Sequence, residues 1–325
     1  MIEFLSSNSW ITPQIDFLVF LQSLRISHFE MFNKFFLSVT VLGEFWLPTI
    51  IPAIIYWCID SKKGMYLFSI FGINFLFAQF FKMIACVYRP WILSDRVTPL
   101  KEAFTYALGY SFPSGHSATS SSIFGGLAFI LRKNVPVAIM LVLLAFLVGF
   151  SRMWLGVHTP QDVIVGLTIG FTLVFIMDYI INWAEKNKDR YLYLLVIINF
   201  VSLIAILYNC YFNVYPCDYV NHKLLVNPWR SLYAFIACYG YALGMINGCF
   251  LIRRFCPFDA SKGTLKTKII RGIVGILLTI AILKLGLAKV FAASLDYKVE
   301  FIIAGLAGFT ITGIYPLIFT KIENK

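Results

Sequence analysis

Long apolar runs alternate with short polar stretches along almost the whole chain. Each run predicts a membrane-spanning helix, because a hydrocarbon layer of about 30 Å requires about 20 helical residues. Nine spans are predicted, at residues 31–58, 65–87, 114–132, 135–155, 160–183, 191–211, 231–252, 268–290 and 299–320. The less apolar stretch 14–29 predicts an interfacial helix or an outer extension of the first span. The expected fold is all-α, a polytopic transmembrane helical bundle.

Two domains are predicted from this layout. Residues 1–190 hold the interfacial segment and the first five spans, and residues 191–325 form a four-span carboxy-terminal extension. The composition agrees with a multi-pass membrane protein, since the 325 residues are 59% hydrophobic and only 13% charged. The start of the chain lacks the basic region of a signal peptide, so the first apolar segments are expected to stay in the protein.

The formal net charge of +11 would also suit a nucleic-acid-binding protein. The Lys and Arg residues, however, lie mainly in short loops between apolar runs, where anionic headgroups and topology explain them. No nucleic-acid partner is therefore expected, and membrane lipids are the expected surroundings. The seven cysteines form no CxxC pair and no His-flanked set, so neither a metal nor a cofactor is predicted. Cys210 and Cys217 flank a predicted loop and would be free to pair if that loop is extracytoplasmic.

The loop cations predict the orientation of the chain. One alternating set of loops is richer in Lys and Arg, and it includes Lys62, Lys63, Arg132, Lys133, Lys186, Lys188, Arg190, Arg253, Arg254, Lys262, Lys266, Lys268, Arg271, Lys321 and Lys325. By the positive-inside rule these loops are cytoplasmic. A multi-pass protein of the bacterial inner membrane is the expected setting, with the opposite loops in the periplasm or outside the cell.

Three clusters of chemically active residues lie at the predicted outer ends of four consecutive spans. They are Lys82 with Arg89-Pro90, then Pro113-Ser114-Gly115-His116, then Ser151-Arg152 with His158 and Asp162. Lys82 and Arg89 are two helical turns apart, which predicts that both point from one face of the second span. Ser114 is a predicted N-cap that aims free N–H groups of the third span at an anion. Pro160 is predicted at the start of the fifth span.

Three cations, two imidazoles and one carboxylate are the groups needed to hold a phosphate and cleave it. A transferring phosphoryl group is stabilised mainly by preorganised positive charge and hydrogen-bond donors. One histidine can attack phosphorus while the other protonates the leaving oxygen. Asp162, four residues after His158, makes His158 the better nucleophile, because the carboxylate can fix its tautomer and stabilise the imidazolium.

These clusters closely resemble the three-part signature of the type 2 phosphatidic acid phosphatase superfamily. The resemblance implies that His158 becomes a phosphohistidine, that Asp162 orients it and that His116 is the general acid. It also implies that the phosphate is bound by Lys82, Arg89, Arg152, Ser114 and Gly115, without a metal. The nine-span layout resembles glucose-6-phosphatase and the sphingosine-1-phosphate phosphatases.

The predicted function is an integral-membrane phosphatase that hydrolyses a lipid phosphate or an isoprenyl diphosphate on the extracytoplasmic face. Two alternatives within catalysis stay open: a water-soluble ester such as a sugar phosphate as the substrate, and phosphotransfer to a lipid acceptor. A transporter is the alternative of a different class, since Glu44, Asp178 and Lys284 lie inside apolar runs where charge is usually functional.

Overall fold

The structure is a computed structural model, which describes residues 10–27, 30–104, 107, 109–220, 223–283 and 296–323. The prediction of an all-α membrane protein is confirmed by the helices of this structure. The two strands in the described part of the chain, β1 (Tyr219–Val220) and β2 (Lys223–Leu224), form one short antiparallel pair. Tyr219 lies opposite Leu224 in that pair.

Helices account for most of the described residues. In chain order they are α1 (Thr12–Ser27), α2 (Phe32–Val41), α3 (Trp46–Cys58), α4 (Ser61–Ala85), α5 (Pro90–Leu93), α6 (Lys101–Phe104), α7 (Gly115–Ile130), α8 (Val135–Trp154), α9 (Pro160–Glu185), α10 (Arg190–Leu207), α11 (Pro228–Phe255), α12 (Leu265–Ala281), α13 (Tyr297–Phe309) and α14 (Tyr315–Glu323). Two π-helical turns, Tyr208–Phe212 and Thr310–Ile314, continue α10 and α13.

Six helical segments of the described residues are long and apolar enough to cross a membrane. They are Ser61–Leu93, Val135–Trp154, Pro160–Glu185, Arg190–Phe212, Pro228–Phe255 and Tyr297–Glu323. The pair α2 and α3 gives a seventh if it is one span bent by 47°. Helices α7 and α12, in two further predicted spans, have 16 and 17 residues. Residues 284–290 of the predicted span 268–290 lie outside the described residues. The number nine therefore stays a prediction.

The helix starts near the predicted clusters follow from local sequence. Pro90 begins α5 and Pro160 begins α9, where a missing N–H costs no helical hydrogen bond. Ser114 caps α7, and its Oγ accepts a hydrogen bond from the Ser117 N–H at 3.4 Å. Sequence alone was sufficient for the starts at Ser114 and Pro160, because each depends on residues within one turn of the helix.

The prediction that Lys82 and Arg89 point from one face of the second span is wrong. Helix α4 ends at Ala85, so Arg89 is not on the same helical face as Lys82. Cys86 adopts a positive φ of 47°, which takes the chain out of the helix. Arg89 is extended, with φ −70° and ψ 154°, as the residue before a proline prefers. Lys82 therefore points from a helix and Arg89 from an extended segment.

The described residues fall into two compact units. The first unit comprises Met1–Glu44, Ala78–Phe171 and Asn213–Leu232, and the second comprises Phe45–Phe77, Thr172–Phe212 and Tyr233–Lys325, each without its undescribed residues. Both units draw on both halves of the sequence. The predicted division of the chain at residue 190 stays a prediction.

The first unit holds α1, α2 and the helices from α7 to the start of α9. A buried apolar cluster joins α1, α2, α6 and the end of α8, formed by Leu21, Phe36, Ala103, Ala107, Trp154, Leu155 and Val157. Helices α7 and α9 approach closely at Gly166, where an added Cβ would lie 2.6 Å from the Ser114 carbonyl oxygen. A larger residue at position 166 would therefore push the start of α7 away from α9.

The second unit has a different packing. Helix α11 approaches α13 at Gly240 and Gly244, where a Cβ would collide with backbone atoms of α13. Small residues of this kind let helices pack closely in membranes. The Trp57 Nε1–H of α3 donates to the Ile311 carbonyl oxygen at 3.1 Å. All seven cysteines are free thiols, and this includes Cys210 and Cys217.

Candidate active site

The three clusters converge within the first unit, near the ends of α4, α7, α8 and α9. Lys82 lies near the end of α4, His116 at the start of α7, Arg152 at the end of α8 and Asp162 in the first turn of α9. Consecutive antiparallel helices bring alternate ends together, so the end of one meets the start of the next. The sequence-predicted site is therefore assembled by topology as well as by spacing.

His158 and Asp162 form the centre of this arrangement. The His158 Nδ1 lies 3.2 Å from the Asp162 Oδ2. The same oxygen accepts hydrogen bonds from the Thr159 backbone N–H at 2.9 Å and from the Ser111 Oγ–H at 2.5 Å. The Asp162 N–H donates in return to the Thr159 Oγ1 at 3.3 Å, which completes a reciprocal cap at the start of α9. Asp162 thus fixes both the helix start and the imidazole.

Two contacts agree on the tautomer of His158. Its Nε2 lies 2.9 Å from the Arg89 Nη1, and a guanidinium can only donate. Nε2 must therefore present its lone pair. On the other side of the ring, a carboxylate can only accept, so Nδ1 carries the proton toward Asp162. The lone pair that a nucleophile needs is on Nε2, the nitrogen that faces a cation.

His158 lies in the turn between α8 and α9 and is only 2% exposed. Burial lowers the pKa of its imidazole well below the usual value, because a charged ring is poorly solvated there. The nearby Arg89 and Arg152 guanidiniums lower this pKa further. The imidazole is accordingly neutral at neutral pH, which is the form that can attack phosphorus.

The cations of the first cluster hold the loop that leads into α7. The Lys82 Nζ donates to the carbonyl oxygens of Tyr110, Ser111 and Pro113 at 3.0, 3.3 and 3.1 Å. The Phe112–Pro113 peptide bond in this loop is cis. Lys82 was predicted from sequence as a phosphate ligand, and in the structure it also shapes the second cluster.

Arg89 connects the same loop to the turn that carries His158. Its Nε–H donates to the Gly109 carbonyl oxygen at 3.2 Å and its Nη1–H to the Val157 carbonyl oxygen at 3.0 Å. Gly109 has a positive φ of 70°, a conformation that glycine adopts without steric cost. Arg89 therefore lies beside His158 and between two loops.

The second cluster places backbone donors at the start of α7. The Ser114 N–H donates to the Asp162 carbonyl oxygen at 2.9 Å, and the Ser114 Oγ accepts from the Ser117 Oγ–H at 2.8 Å. Gly115 has open space beside its Cα, since an added Cβ would meet nothing within 4 Å. His116 follows it and is half-buried. The first turn of α7 is therefore accessible to a ligand at Gly115.

Arg152 provides a third cation and an unsatisfied donor. Its Nη1–H donates to the Thr40 Oγ1 of α2 at 2.5 Å, and the side chain is buried. Its Nε–H is buried and has no hydrogen-bond partner in the described part of the chain. Glu44 is close enough for its charge to act on Arg152. A buried guanidinium with an open donor is a suitable anion ligand.

The amino-terminal helix packs over the turn that carries His158. The Gln161 N–H donates to the Gln14 Oε1 at 3.0 Å, and the Trp10 Nε1–H donates to the Gln161 Oε1 at 2.9 Å. The buried Arg25 donates to the Trp154 carbonyl oxygen at 3.1 Å and to the Thr98 carbonyl oxygen at 2.6 Å. The predicted interfacial segment is thus a helix, α1, that supports the site.

Sequence comparison now identifies the family. The chain is 31% identical over 168 residues to phosphatidylglycerophosphatase B of Bacillus subtilis. The aligned region covers 48% of this chain and 77% of that protein. A sequence profile of the PAP2 superfamily matches residues 63–187. The chain belongs to the PAP2 superfamily. A second profile, of the transmembrane extension of PAP2 superfamily phosphatases, matches residues 236–325. The predicted family and the prediction of a membrane phosphatase are confirmed.

Two further comparisons show how far this similarity extends. An undecaprenyl-diphosphatase of Sulfolobus acidocaldarius is 28% identical over 143 residues, which cover 44% of this chain and 66% of that protein. The crystal structure of a transmembrane PAP2-type phosphatidylglycerolphosphate phosphatase from Bacillus subtilis is 25% identical and covers 57% of this chain and 93% of that one. Its TM-score is 0.44.

Several residues that hold this PAP2 site were absent from the sequence prediction. Ser111, Thr40 and Gln14 contact Asp162, Arg152 and Gln161 across long distances in sequence. Ser111 lies three residues before Ser114 in an otherwise aromatic and apolar loop, which was the one available signal. Thr40 lies in an apolar helix with no distinguishing pattern. Their roles depend on tertiary contacts that a local pattern does not contain.

Proposed function

We propose that this protein is an integral-membrane lipid phosphatase that works through a phosphohistidine at His158. The observation that carries the proposal is the imidazole itself: Nδ1 is held by Asp162 and the lone pair of Nε2 faces Arg89. The charge and the geometry around this ring suit attack on a phosphoryl group, whose negative oxygens the cations would bind.

The phosphate would be bound by groups that surround Nε2. Arg152 offers its open Nε–H, and Arg89 and Lys82 contribute positive charge. The backbone N–H groups of Gly115 and His116, at the start of α7, would donate to the remaining oxygens, since a helix N-terminus favours anions. Ser114 positions this helix start through its bond to Asp162 and adds its hydroxyl to the site.

In the first step, the Nε2 lone pair of His158 attacks phosphorus. The new N–P bond forms while the bond from phosphorus to the lipid oxygen breaks, and His116 gives its proton to that oxygen. The ring keeps its Nδ1 proton and becomes positively charged. Asp162 stabilises that charge through the hydrogen bond to Nδ1, as the orienting carboxylate does in other triads.

In the second step, water attacks the phosphohistidine. His116, now neutral, takes a proton from the water, the N–P bond breaks and inorganic phosphate is released. The electron pair of the N–P bond returns to Nε2, and His116 is again protonated. Atoms and charges balance over the two steps, and none of them requires a metal.

The proposed substrates are phosphorylated lipids, in either monoester or isoprenyl diphosphate form. The relatives named above act on phosphatidylglycerophosphate and undecaprenyl diphosphate. The clusters lie near the ends of α4, α7, α8 and α9, where a lipid headgroup would reach them in a membrane. The loop cations favour an extracytoplasmic site in a bacterial inner membrane.

A substrate panel tests this proposal. Purified protein in mixed micelles is given phosphatidylglycerophosphate, phosphatidic acid, undecaprenyl diphosphate, sphingosine phosphate and glucose 6-phosphate, with and without EDTA. We expect phosphate release from a lipid, no loss with EDTA, and a decrease of roughly 10³-fold or more in the His158→Ala variant. Preference for glucose 6-phosphate would overturn the lipid class, and equal turnover by His158→Ala would overturn the nucleophile.

The panel also separates hydrolysis from phosphotransfer. A lipid alcohol is added at increasing concentration while inorganic phosphate and phosphorylated alcohol are both measured. If the protein is a hydrolase, the yield of inorganic phosphate stays unchanged as the lipid alcohol is added. Phosphorylated alcohol as the main product would instead show a phosphotransferase that uses the same phosphohistidine.

A further inference from the structure

Ser111 contacts the first and third clusters and lies two residues before the second, although it belongs to none of the signature positions. Its N–H donates to the Val87 carbonyl oxygen at 2.7 Å, two residues before Arg89. Its carbonyl oxygen accepts from the Lys82 Nζ at 3.3 Å. Its Oγ–H donates to the Asp162 Oδ2 at 2.5 Å. Three polar groups of one residue thus connect the first cluster, the loop before α7 and the third cluster.

The side chain of Ser111 is fully buried, so water does not compete for these bonds. A hydroxyl has one proton, and the short bond to Asp162 uses it because a carboxylate can only accept. The same Oγ lies 3.3 Å from the His158 Nδ1. Toward that nitrogen the hydroxyl can therefore act only as an acceptor of the Nδ1 proton.

This arrangement gives the Nδ1 proton two acceptors, the Asp162 Oδ2 at 3.2 Å and the Ser111 Oγ at 3.3 Å. Both select the tautomer with the proton on Nδ1 and the lone pair on Nε2. The hydroxyl also fixes the rotamer of the Asp162 carboxylate, which has its Thr159 N–H contact on the same oxygen. Both the orientation and the tautomer of the His158 imidazole are therefore fixed.

We propose that Ser111 is a positioning residue, which fixes the Nδ1–H tautomer of His158 through Asp162 and aligns the three clusters. The proposal rests on the phosphohistidine function proposed above. During the first step the N–P bond forms at Nε2 and the bond to the leaving oxygen breaks, while the Nδ1 proton stays between Ser111 and Asp162. Ser111 touches neither phosphate nor leaving group and acts through its two neighbours.

Kinetics of matched serine variants test the role. Ser122 is the control, since it is fully buried in the same unit and its Oγ–H donates only along its own helix, to the Ala118 carbonyl oxygen at 2.8 Å. We expect Ser111→Ala to slow phosphoenzyme formation roughly ten- to hundredfold, the usual effect of removing a bond to a charged group. KM should change little, and Ser122→Ala should have the wild-type rate.

A second variant covers the case in which Ser111→Ala does not fold. Ser111→Cys keeps almost the same volume but replaces the hydroxyl by a weak donor. It is expected to fold and to show most of the same loss in rate. A folded Ser111→Cys variant with the wild-type rate would overturn the proposal.

Nitrogen NMR gives a readout that is independent of turnover. The His158 ring signals are identified as those missing from ¹⁵N-histidine-labelled His158→Ala protein in detergent. The wild type should show a protonated Nδ1 and an unprotonated Nε2, and Ser111→Cys should show a mixture of tautomers. An unchanged tautomer in Ser111→Cys would contradict the proposal. If the wild type hydrolyses no substrate, the proposed function fails, whereas this measurement still decides the role of Ser111.

Discussion

A buried arginine in each unit shows what separates a site from a structural ion pair. Arg152 of the first unit is 4% exposed and Arg271 of the second is 3% exposed. Arg271 is satisfied: it pairs with both carboxylate oxygens of Glu323, and its Nη1–H donates to the Trp57 carbonyl oxygen at 2.6 Å. Arg152 donates to Thr40 and keeps a buried Nε–H without a hydrogen-bond partner in the described residues.

Burial of charge in a membrane protein is therefore a weak indication of function by itself. Both arginines meet that criterion, whereas the Arg253–Glu185 pair of the second unit, with 2.6 Å between Arg253 Nη2 and Glu185 Oε2, is only partly buried. The first unit differs because its cations, its imidazoles and the start of a helix meet at one place. There the Arg152 Nε–H has no hydrogen-bond partner in the described residues. The transporter alternative rested on isolated charges within spans, and of these Lys284 lies outside the described residues.

The largest expected difference between the two arginines is in activity. Arg152→Ala should lower kcat/KM roughly 10²- to 10³-fold, because a preorganised cation on the transferring phosphate is lost. Arg271→Ala should leave kcat/KM per folded molecule near the wild-type value. Phosphate release from the preferred lipid, normalised to folded protein, measures both. A comparable loss in both variants would remove the distinction.

The opposite order is expected for stability. Arg271→Ala leaves the Glu323 carboxylate without its partner, and since Glu323 is partly exposed we expect a loss of about 1–3 kcal/mol. Arg152→Ala removes a buried charge that has no acidic hydrogen-bond partner among the described residues, so its melting temperature should be at or above that of the wild type. Thermal unfolding in detergent gives the comparison. A large stability loss in Arg152→Ala would mean that this arginine is mainly structural.

The pH dependence of phosphoenzyme formation gives a further test of the role of Arg152. The pKa of His158 is lowered by burial and by the neighbouring guanidiniums, so the neutral nucleophile persists below the usual histidine pKa of about 6.5. When the rate of phosphoenzyme formation is plotted against pH, the fall in rate on the acid side (the acid limb) should therefore lie below pH 6.5 in the wild type. It should move upward in Arg152→Ala, because one of the cations that lowers the pKa is gone. An acid limb that does not move would contradict this electrostatic account.

The sequence was informative wherever a feature depends on nearby residues. Ser114 and Pro160 mark helix starts that the structure reproduces, because caps and prolines act within one turn. The residues of the three clusters were also identifiable, since their chemistry and spacing are unusual within apolar spans.

Features that depend on distant partners were not predictable. Helix α4 ends at Ala85 because Cys86 adopts a positive φ, and no proline or glycine at that position signals the end of the helix. The segment 213–232 belongs to the same compact unit as the clusters, where the Tyr88 hydroxyl donates to the Asp218 Oδ2 at 2.5 Å. Ser111 likewise shows its role only when Asp162 is folded beside it.

The most direct test of the central claim is to trap the covalent intermediate. Protein is mixed with lipid substrate labelled at the terminal phosphate, quenched within milliseconds in denaturant at alkaline pH, and the label on the chain is mapped. We predict label on His158 that is stable in alkali and lost in acid, and that is absent in His158→Ala. A wild-type protein that turns over lipid without label, or a His158→Ala variant that is labelled equally, would contradict the account.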